Sequence, residues 1–131
     1  MQNKVIIALV FCLIALLRPA AALAQVATAD AEQTYFDFQV EQQVKPRSVR
    51  TPVYPERLRS AGVEGQVLVQ FVVDESGNAQ MSTFKVLKST DNELTDSVRR
   101  AVSGSSYLPA EVRGKKVKQL VQQPFVFAAR R

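Results

Sequence analysis

The feature of this sequence that most limits its possible fold is an alternating apolar run followed by a tight turn. Every second residue of the run is large and apolar: Val67, Val69, Phe71 and Val73. Side chains alternate between the two faces of an extended strand, so the run predicts a strand with one buried face. The loop Asp74–Asn78 contains Gly77, which tolerates a positive φ, and predicts a hairpin. The segment AQMSTFKVLK then returns antiparallel to the first strand.

Two helices are predicted around this hairpin. Before it, PERLRSAG gives a short helix that begins near Pro55 and ends at Gly62. After it, Thr90 and Glu93 have the spacing of a capping box, in which Thr90 caps the helix. The second helix carries one apolar stripe, formed by Leu94, Val98, Ala101 and Val102. Gly104 is expected to end it.

The run VKQLVQQPFVF, close to the end of the chain, predicts a last strand. Its Pro124 cannot donate a backbone hydrogen bond, which favours a strand at a sheet edge. Nearer the start, Phe36, Phe38 and Val40 alternate with polar residues and indicate an extra N-terminal strand. The predicted fold class is α+β: a small antiparallel three-stranded sheet with two helices packed on one face, plus this additional strand.

The N-terminus has the pattern of an export signal. Lys4 precedes an apolar stretch, and Ala22-Leu23-Ala24 resembles a cleavage site. We therefore expect a signal peptide over residues 1–24, a flexible leader with a strand-like segment over 25–48, and a folded domain over 49–131. The expected location is the periplasm, with no stable membrane span after cleavage. An uncleaved membrane anchor is the alternative, although Arg18 and Pro19 interrupt the apolar stretch.

The composition argues against catalysis. The chain has no histidine, and its one cysteine, Cys12, lies inside the expected signal. Thiol and imidazole chemistry and the usual zinc ligand sets are then excluded, and we expect no enzyme activity, no metal and no cofactor. The remaining candidate pairs lie on opposite strand faces or in an exposed turn. These pairs are Ser89 with Lys88, Ser82 with Lys85, and Asp74 with Glu75. A net charge of +5 is too small and too scattered to predict nucleic-acid binding.

An ordered set of segments resembles a known family. YP, GVEGQVLVQFVVDESGNA, LTDSVRRAV, YLP and PFVF, within residues 49–127, are similar to the C-terminal domain of TonB. The resemblance implies the periplasmic part of an energy transducer that grips outer-membrane transporters. The sequence departs from that family in having no histidine, no long proline-rich spacer, and Ser105 where tryptophan is common.

The last strand is the expected binding site. An extended peptide can add to an open sheet edge through main-chain hydrogen bonds. The resemblance implies that this peptide comes from an outer-membrane transporter and that the residues before YP also contact it. The expected peptide-binding residues are Arg50, Thr51, Pro52, Lys118, Gln119, Leu120, Val121, Gln122, Gln123, Phe125 and Phe127. Alternatively, these residues only pack, and Lys118 and Pro124 protect the edge from aggregation.

Three other roles stay open at this point. The strand-like leader could cover the edge within its own chain, or exchange into a second copy to form a homodimer. Phe36, Phe38 and Val40 could instead be ordinary core residues. The chain could also be a structural or accessory envelope protein that binds a folded partner or, through Arg99 and Arg100, an anionic envelope surface.

Overall fold

The computed structural model of the protein describes residues 33–129. The elements follow in this order: β1 (Thr34–Tyr35), a 3₁₀ helix (Asp37–Gln39), β2 (Lys45–Ser48), α1 (Glu56–Ser60), β3 (Gly65–Val73), β4 (Ala79–Ser89), α2 (Asn92–Ser103), β5 (Ser106–Leu108), β6 (Ala110–Val112) and β7 (Lys115–Phe127). The predicted signal peptide and the first part of the leader lie outside the described residues. Between residues 33 and 129, no helix has the length and apolarity to cross a membrane.

The central sheet has β3 in the middle, with β4 and β7 antiparallel on either side. The pairing of β3 with β7 is unbroken from Gly65 opposite Phe127 to Val73 opposite Gln119. α2 lies across β3 and β4. The predicted α+β fold, with three central antiparallel strands and two helices, is therefore confirmed. The sheet is extended to five strands by β1 and β6, and β2 pairs with β5 in a second sheet.

The core lies between the sheet and the helices. The side chains of β3 predicted to be buried are inaccessible to solvent: Val67, Val69, Phe71 and Val73. The predicted stripe on α2 is buried against them: Leu94, Val98, Ala101 and Val102. α1 contributes Leu58. Each such large side chain stabilises the fold by roughly 1.5–3 kcal/mol relative to an exposed one. Phe127 of β7 belongs to the same core, which holds the end of β7 in place.

The start of α2 differs from the prediction. Asp91, not Thr90, is the N-cap, and its Oδ1 accepts a hydrogen bond from Glu93 N at 2.7 Å. Thr90 instead bonds to β3, where its Oγ1 accepts from Gln66 N at 3.0 Å. The strand competes for the threonine hydroxyl, so the next residue caps the helix. Gly104 is the C-cap, as predicted.

The β3–β4 connection brings the hairpin close to β5. Gly77 has a φ of 85°, and its carbonyl accepts from Tyr107 N at 2.8 Å. A Cβ at this position would lie 2.0 Å from the carbonyl oxygen of Tyr107, so only glycine fits. Asp74 Oδ1 accepts from Ser76 N and Asn78 N at 2.9 and 3.0 Å, so the acidic side chain closes the turn.

The N-terminal strand is shorter than the sequence indicates and lies earlier in the chain. β1 is limited to Thr34–Tyr35 and pairs in parallel with β7. The prediction of a strand over Phe36–Val40 is wrong, because Asp37–Gln39 forms a 3₁₀ helix there. Phe36 and Phe38 are 49% and 79% exposed, so they are not core residues either.

Candidate functional site

The pairing of β3 shows which backbone groups of β7 are free. Gln66 faces β4, because Thr90 N donates to its carbonyl at 3.2 Å and its own N–H donates to Thr90 Oγ1. Backbone groups alternate sides along a strand, so the neighbouring residues Gly65 and Val67 face β7. Their partners on β7 are Phe127 and Phe125, whose N–H and C=O groups therefore point inwards to β3.

The alternate residues of β7 point the other way. Gln122, Pro124 and Val126 lie opposite β3 residues that face β4, so their backbone groups point to the outer side of β7. Among the described residues, only β3 pairs with the segment from Val121 to Phe127. The outer edge of this half of β7 is therefore open, and it presents the N–H groups of Gln122 and Val126.

Pro124 lies in this open half. It is paired with Leu68 at a position where its missing N–H would have pointed outwards. The ladder with β3 therefore loses no hydrogen bond, and the prediction of an edge strand is confirmed. The proline still presents its carbonyl at the edge.

The beginning of β7 is covered. Lys118 and Gln119 pair with Thr34 and Tyr35 of β1. The side chain of Gln119 is 4% exposed, and its Oε1 accepts from Val44 N at 2.8 Å. The edge at Lys118 and Gln119 and the side chain of Gln119 are therefore in contact with the N-terminal segment. Phe36, Val44, Leu120 and Gln122 are among the residues that line the adjacent groove of about 490 Å³.

The end of β7 borders a second groove, of about 360 Å³. Its walls include Thr51, Pro52, Phe125 and Val126. Tyr54 packs edge-on against Phe127, with ring centroids 5.4 Å apart, and its hydroxyl donates to the carbonyl of Val63. This aromatic pair holds the connector before α1 against the end of β7.

The structure thus separates the predicted site residues into three places. Thr51 and Pro52 lie beside the open half of β7, with Phe125 and Phe127. Lys118, Gln119 and Leu120 lie at the other end of the strand, beside β1 and the 3₁₀ helix. Arg50 lies over the end of α2: its N–H donates to Ser105 Oγ at 3.0 Å, and its side chain covers Gly104.

Three residues in or beside the open half were not among the sequence candidates: Pro124, Val126 and Tyr54. Val126 presents its backbone to the edge and is 75% exposed, whereas Tyr54 fixes the wall of the second groove. The alternation that starts from Pro124 could have identified Val126. No short-range pattern identifies Tyr54, because its partner Phe127 lies far along the chain.

The charged side chains within the three central strands are all lysines. The strands β3, β4 and β7 contain no aspartate or glutamate, whereas β7 carries Lys115, Lys116 and Lys118 and β4 carries Lys85 and Lys88. Carboxylates lie beside these strands, because Glu111 of β6 pairs with Lys116 and Glu64 Oε1 accepts from Ala129 N at 3.2 Å just beyond β7.

Three polar side chains considered for catalysis or for an anionic surface, Asp74, Ser89 and Arg99, have local structural partners. Ser89 Oγ lies 2.7 Å from Thr95 Oγ1 and donates to the Asp91 carbonyl at 2.9 Å, at the start of α2. Arg99 lies over the ring of Phe84, with its Cζ 4.7 Å from the centroid. These contacts stabilise helix ends and surfaces.

Comparison with known proteins identifies the class of fold and then the family. The model of the Gram-negative bacterial TonB protein C-terminal matches residues 50–129. The chain therefore belongs to the TonB C-terminal family. It is 31% identical to the protein TonB of Pseudomonas aeruginosa over 85 residues, which are 64% of this chain and 24% of the relative. The chain thus spans about a quarter of that relative's length.

Solved structures agree with this assignment. The solution NMR structure of the Pseudomonas aeruginosa TonB C-terminal domain matches with a TM-score of 0.53 and 27% identity, covering 68% of this chain and 89% of that one. The TonB2 protein of Vibrio anguillarum matches with a TM-score of 0.50 and 28% identity, covering 76% and 93%. The predicted resemblance to TonB is confirmed.

Proposed function

We propose that the protein is an exported, non-catalytic interaction module that binds extended peptide segments of outer-membrane transporters by β-strand addition. The ligand adds to the outer side of β7 between Val121 and Phe127. Its backbone bonds to Gln122, Pro124 and Val126, and its side chains contact the groove that contains Thr51 and Pro52. Residues 1–24 direct the chain to the periplasm, where such transporters present their peptides.

The open half of β7 is the observation that carries this proposal. Unpaired N–H and C=O groups on an edge strand are a template for a further strand, and main-chain bonds of this kind need no catalytic side chain. The adjoining groove supplies side-chain contacts beside the same edge. Membership of the TonB C-terminal family supports the choice of a transporter peptide.

A titration of the isotopically labelled protein with synthetic peptides from transporter N-termini tests the proposal. We expect backbone amide shifts concentrated at Gln122 and Val126, with smaller shifts at Thr51. The matched variants are Gln122→Pro, which removes one outward N–H, and Gln122→Ala, which keeps it. Loss of one main-chain hydrogen bond should weaken binding about fivefold to tenfold in the proline variant only. Equal binding by both variants would count against strand addition.

A folded envelope partner is the second candidate. Val53 and Val126 are 74% and 75% exposed and lie on either side of the connector formed by Thr51 and Pro52. A folded surface could bury both valines at once, whereas a single added strand reaches only the edge. If peptides cause no shifts and a folded partner protects Val53 and Val126 together, the second candidate replaces the first.

A further inference from the structure

The N-terminal segment has one part that is firmly tied to the domain. Glu41 N and Gln42 N donate to the carbonyl of Glu111 at 3.1 and 3.2 Å, and Glu111 N donates back to Gln42 at 2.9 Å. β2 then pairs antiparallel with β5. This part, residues 41–48, is anchored to β6 and β5.

The preceding part, Thr34–Gln39, is here named the arm tip, and its attachment is weaker. Only Thr34 and Tyr35 pair with β7. The 3₁₀ helix is closed by local bonds: Gln39 N donates to the Phe36 carbonyl at 3.0 Å, and Phe36 N donates to Gln39 Oε1 at 2.8 Å. Strength of attachment follows the number of long-range contacts, so the arm tip should open before the anchored part.

The two phenylalanines of the arm tip add little to its attachment. Phe36 and Phe38 stack on each other, with centroids 5.6 Å apart and an interplanar angle of 3°. Phe36 is only half-buried and Phe38 remains largely exposed to solvent. The stacked pair therefore buries little apolar area against the domain, and hydrophobic burial is the main source of stability for such segments.

The arm tip occupies the same edge that the proposed ligand needs. β1 uses the outer side of β7 at Lys118 and Gln119. Phe36, which follows β1, lines the same groove as Leu120. A strand that extends along the whole outer edge of β7 would overlap the arm tip.

We propose that the arm tip is a displaceable cover, which competes with an extended ligand for the first half of the outer edge of β7. A short ligand binds the open half while the cover stays in place, whereas a longer ligand binds fully only after the cover leaves. This inference rests on the proposed function. The anchor between Gln42 and Glu111 holds the released tip near the edge, so the cover competes at a high effective concentration.

Two variants of the full chain test the cover. Tyr35→Pro removes the N–H that the parallel ladder with β7 requires, and Tyr35→Ala removes the same aromatic ring but keeps the N–H. The probe is a synthetic peptide with the sequence QTYFDFQV, which copies residues 33–40. We expect it to shift the amides of Lys118 and Leu120 in Tyr35→Pro, with an affinity about tenfold higher than in the unsubstituted chain. Equal affinities in the two chains would overturn the inference.

A transporter peptide long enough to span β7 separates this inference from the proposed function. If it binds the unsubstituted chain and Tyr35→Pro equally well, the cover is wrong and the proposed function stands. If it binds neither, while QTYFDFQV binds Tyr35→Pro at Lys118, the choice of a transporter peptide fails and the cover stands.

A measurement without substitutions provides a second test in case Tyr35→Pro is unstable. In the unsubstituted chain, the amide of Tyr35 should exchange with solvent at least about tenfold faster than that of Glu111, because the tip opens without the anchor. Equal protection of the two amides would contradict a displaceable tip.

Discussion

The two halves of β7 form one continuous strand but face different surroundings. The first half, Lys115–Leu120, pairs with β6 and β1 as well as with β3, and its Gln119 side chain is bonded to the N-terminal segment. The second half, Val121–Phe127, pairs with β3 alone among the described residues. One strand therefore has both a covered edge and an open edge. The difference comes from the neighbouring segments and not from the conformation of β7.

The difference shows what each half contributes. Inward groups of both halves are bonded within the fold, so they stabilise it. Outward groups are covered by β1 around Lys118 and Gln119 in the first half and available for a ligand in the second. Stability and binding can then be changed separately, because the backbone groups of odd-numbered residues from Gln119 to Phe127 face β3 and those of even-numbered residues face outwards.

The largest expected effect comes from moving a proline by one residue. Gln123→Pro removes an N–H that faces β3 and should lower the free energy of unfolding by about 3 kcal/mol or more. Gln122→Pro removes an outward N–H, as Pro124 already does, and should cost less than about 1 kcal/mol. Urea unfolding followed by circular dichroism measures both. Similar losses of unfolding free energy in the two variants would show that the assignment of inward and outward N–H groups on β7 is wrong.

The second-largest contrast in stability is expected between aromatic side chains beside the two halves of β7. Tyr54 packs on Phe127 beside the open half, so Tyr54→Ala should destabilise the fold by about 2–3 kcal/mol through lost packing and a lost hydrogen bond. Phe38 is exposed beside the covered half, and Phe38→Ala should change stability by less than about 0.5 kcal/mol. Thermal unfolding of both variants under one buffer condition provides the comparison. A large loss in Phe38→Ala would mean that the arm tip packs more firmly than its exposure indicates.

A smaller contrast is expected for two glutamines. Gln119→Ala leaves the Val44 N–H without its side-chain acceptor and should cost about 1–2 kcal/mol. Gln122→Ala removes an exposed side chain, and its effect should lie within about 0.5 kcal/mol. Denaturant midpoints measure the contrast, and the Val44 amide should exchange faster in Gln119→Ala. Unchanged protection of the Val44 amide would show that its hydrogen bond to Gln119 does not hold the N-terminal segment against β7.

The sequence predicts the core elements of the fold well because their signals are local. The alternation that begins at Val67 and the apolar stripe that begins at Leu94 each report one buried face. The N-terminal strand was misplaced, because Phe36 and Phe38 alternate as in a strand but have no partner face to bury against. The cap of α2 was misassigned by one residue, because the Thr90 hydroxyl is taken by Gln66 across the sheet.

The site is less predictable because it depends on which side of β7 each backbone group faces. The sequence identified the last strand and the connector at Thr51 and Pro52. It did not distinguish the residues of the strand whose backbone groups face β3 from those whose groups face outwards. The side that each backbone group of β7 faces follows from the bonds between Gln66 and Thr90, which join β3 to the start of α2. The cover over Lys118 likewise depends on a pairing with Thr34 far along the chain, which no local pattern contains.

Amide hydrogen exchange along β7, with and without a transporter peptide, tests the open edge most directly. In the free protein, Gln122 and Val126 should exchange at least about tenfold faster than Gln123 and Phe125, because only the latter donate to β3. A saturating peptide should slow Gln122 and Val126 to the rates of their neighbours. Peptide binding that leaves the exchange of Gln122 and Val126 unchanged would contradict strand addition at this edge.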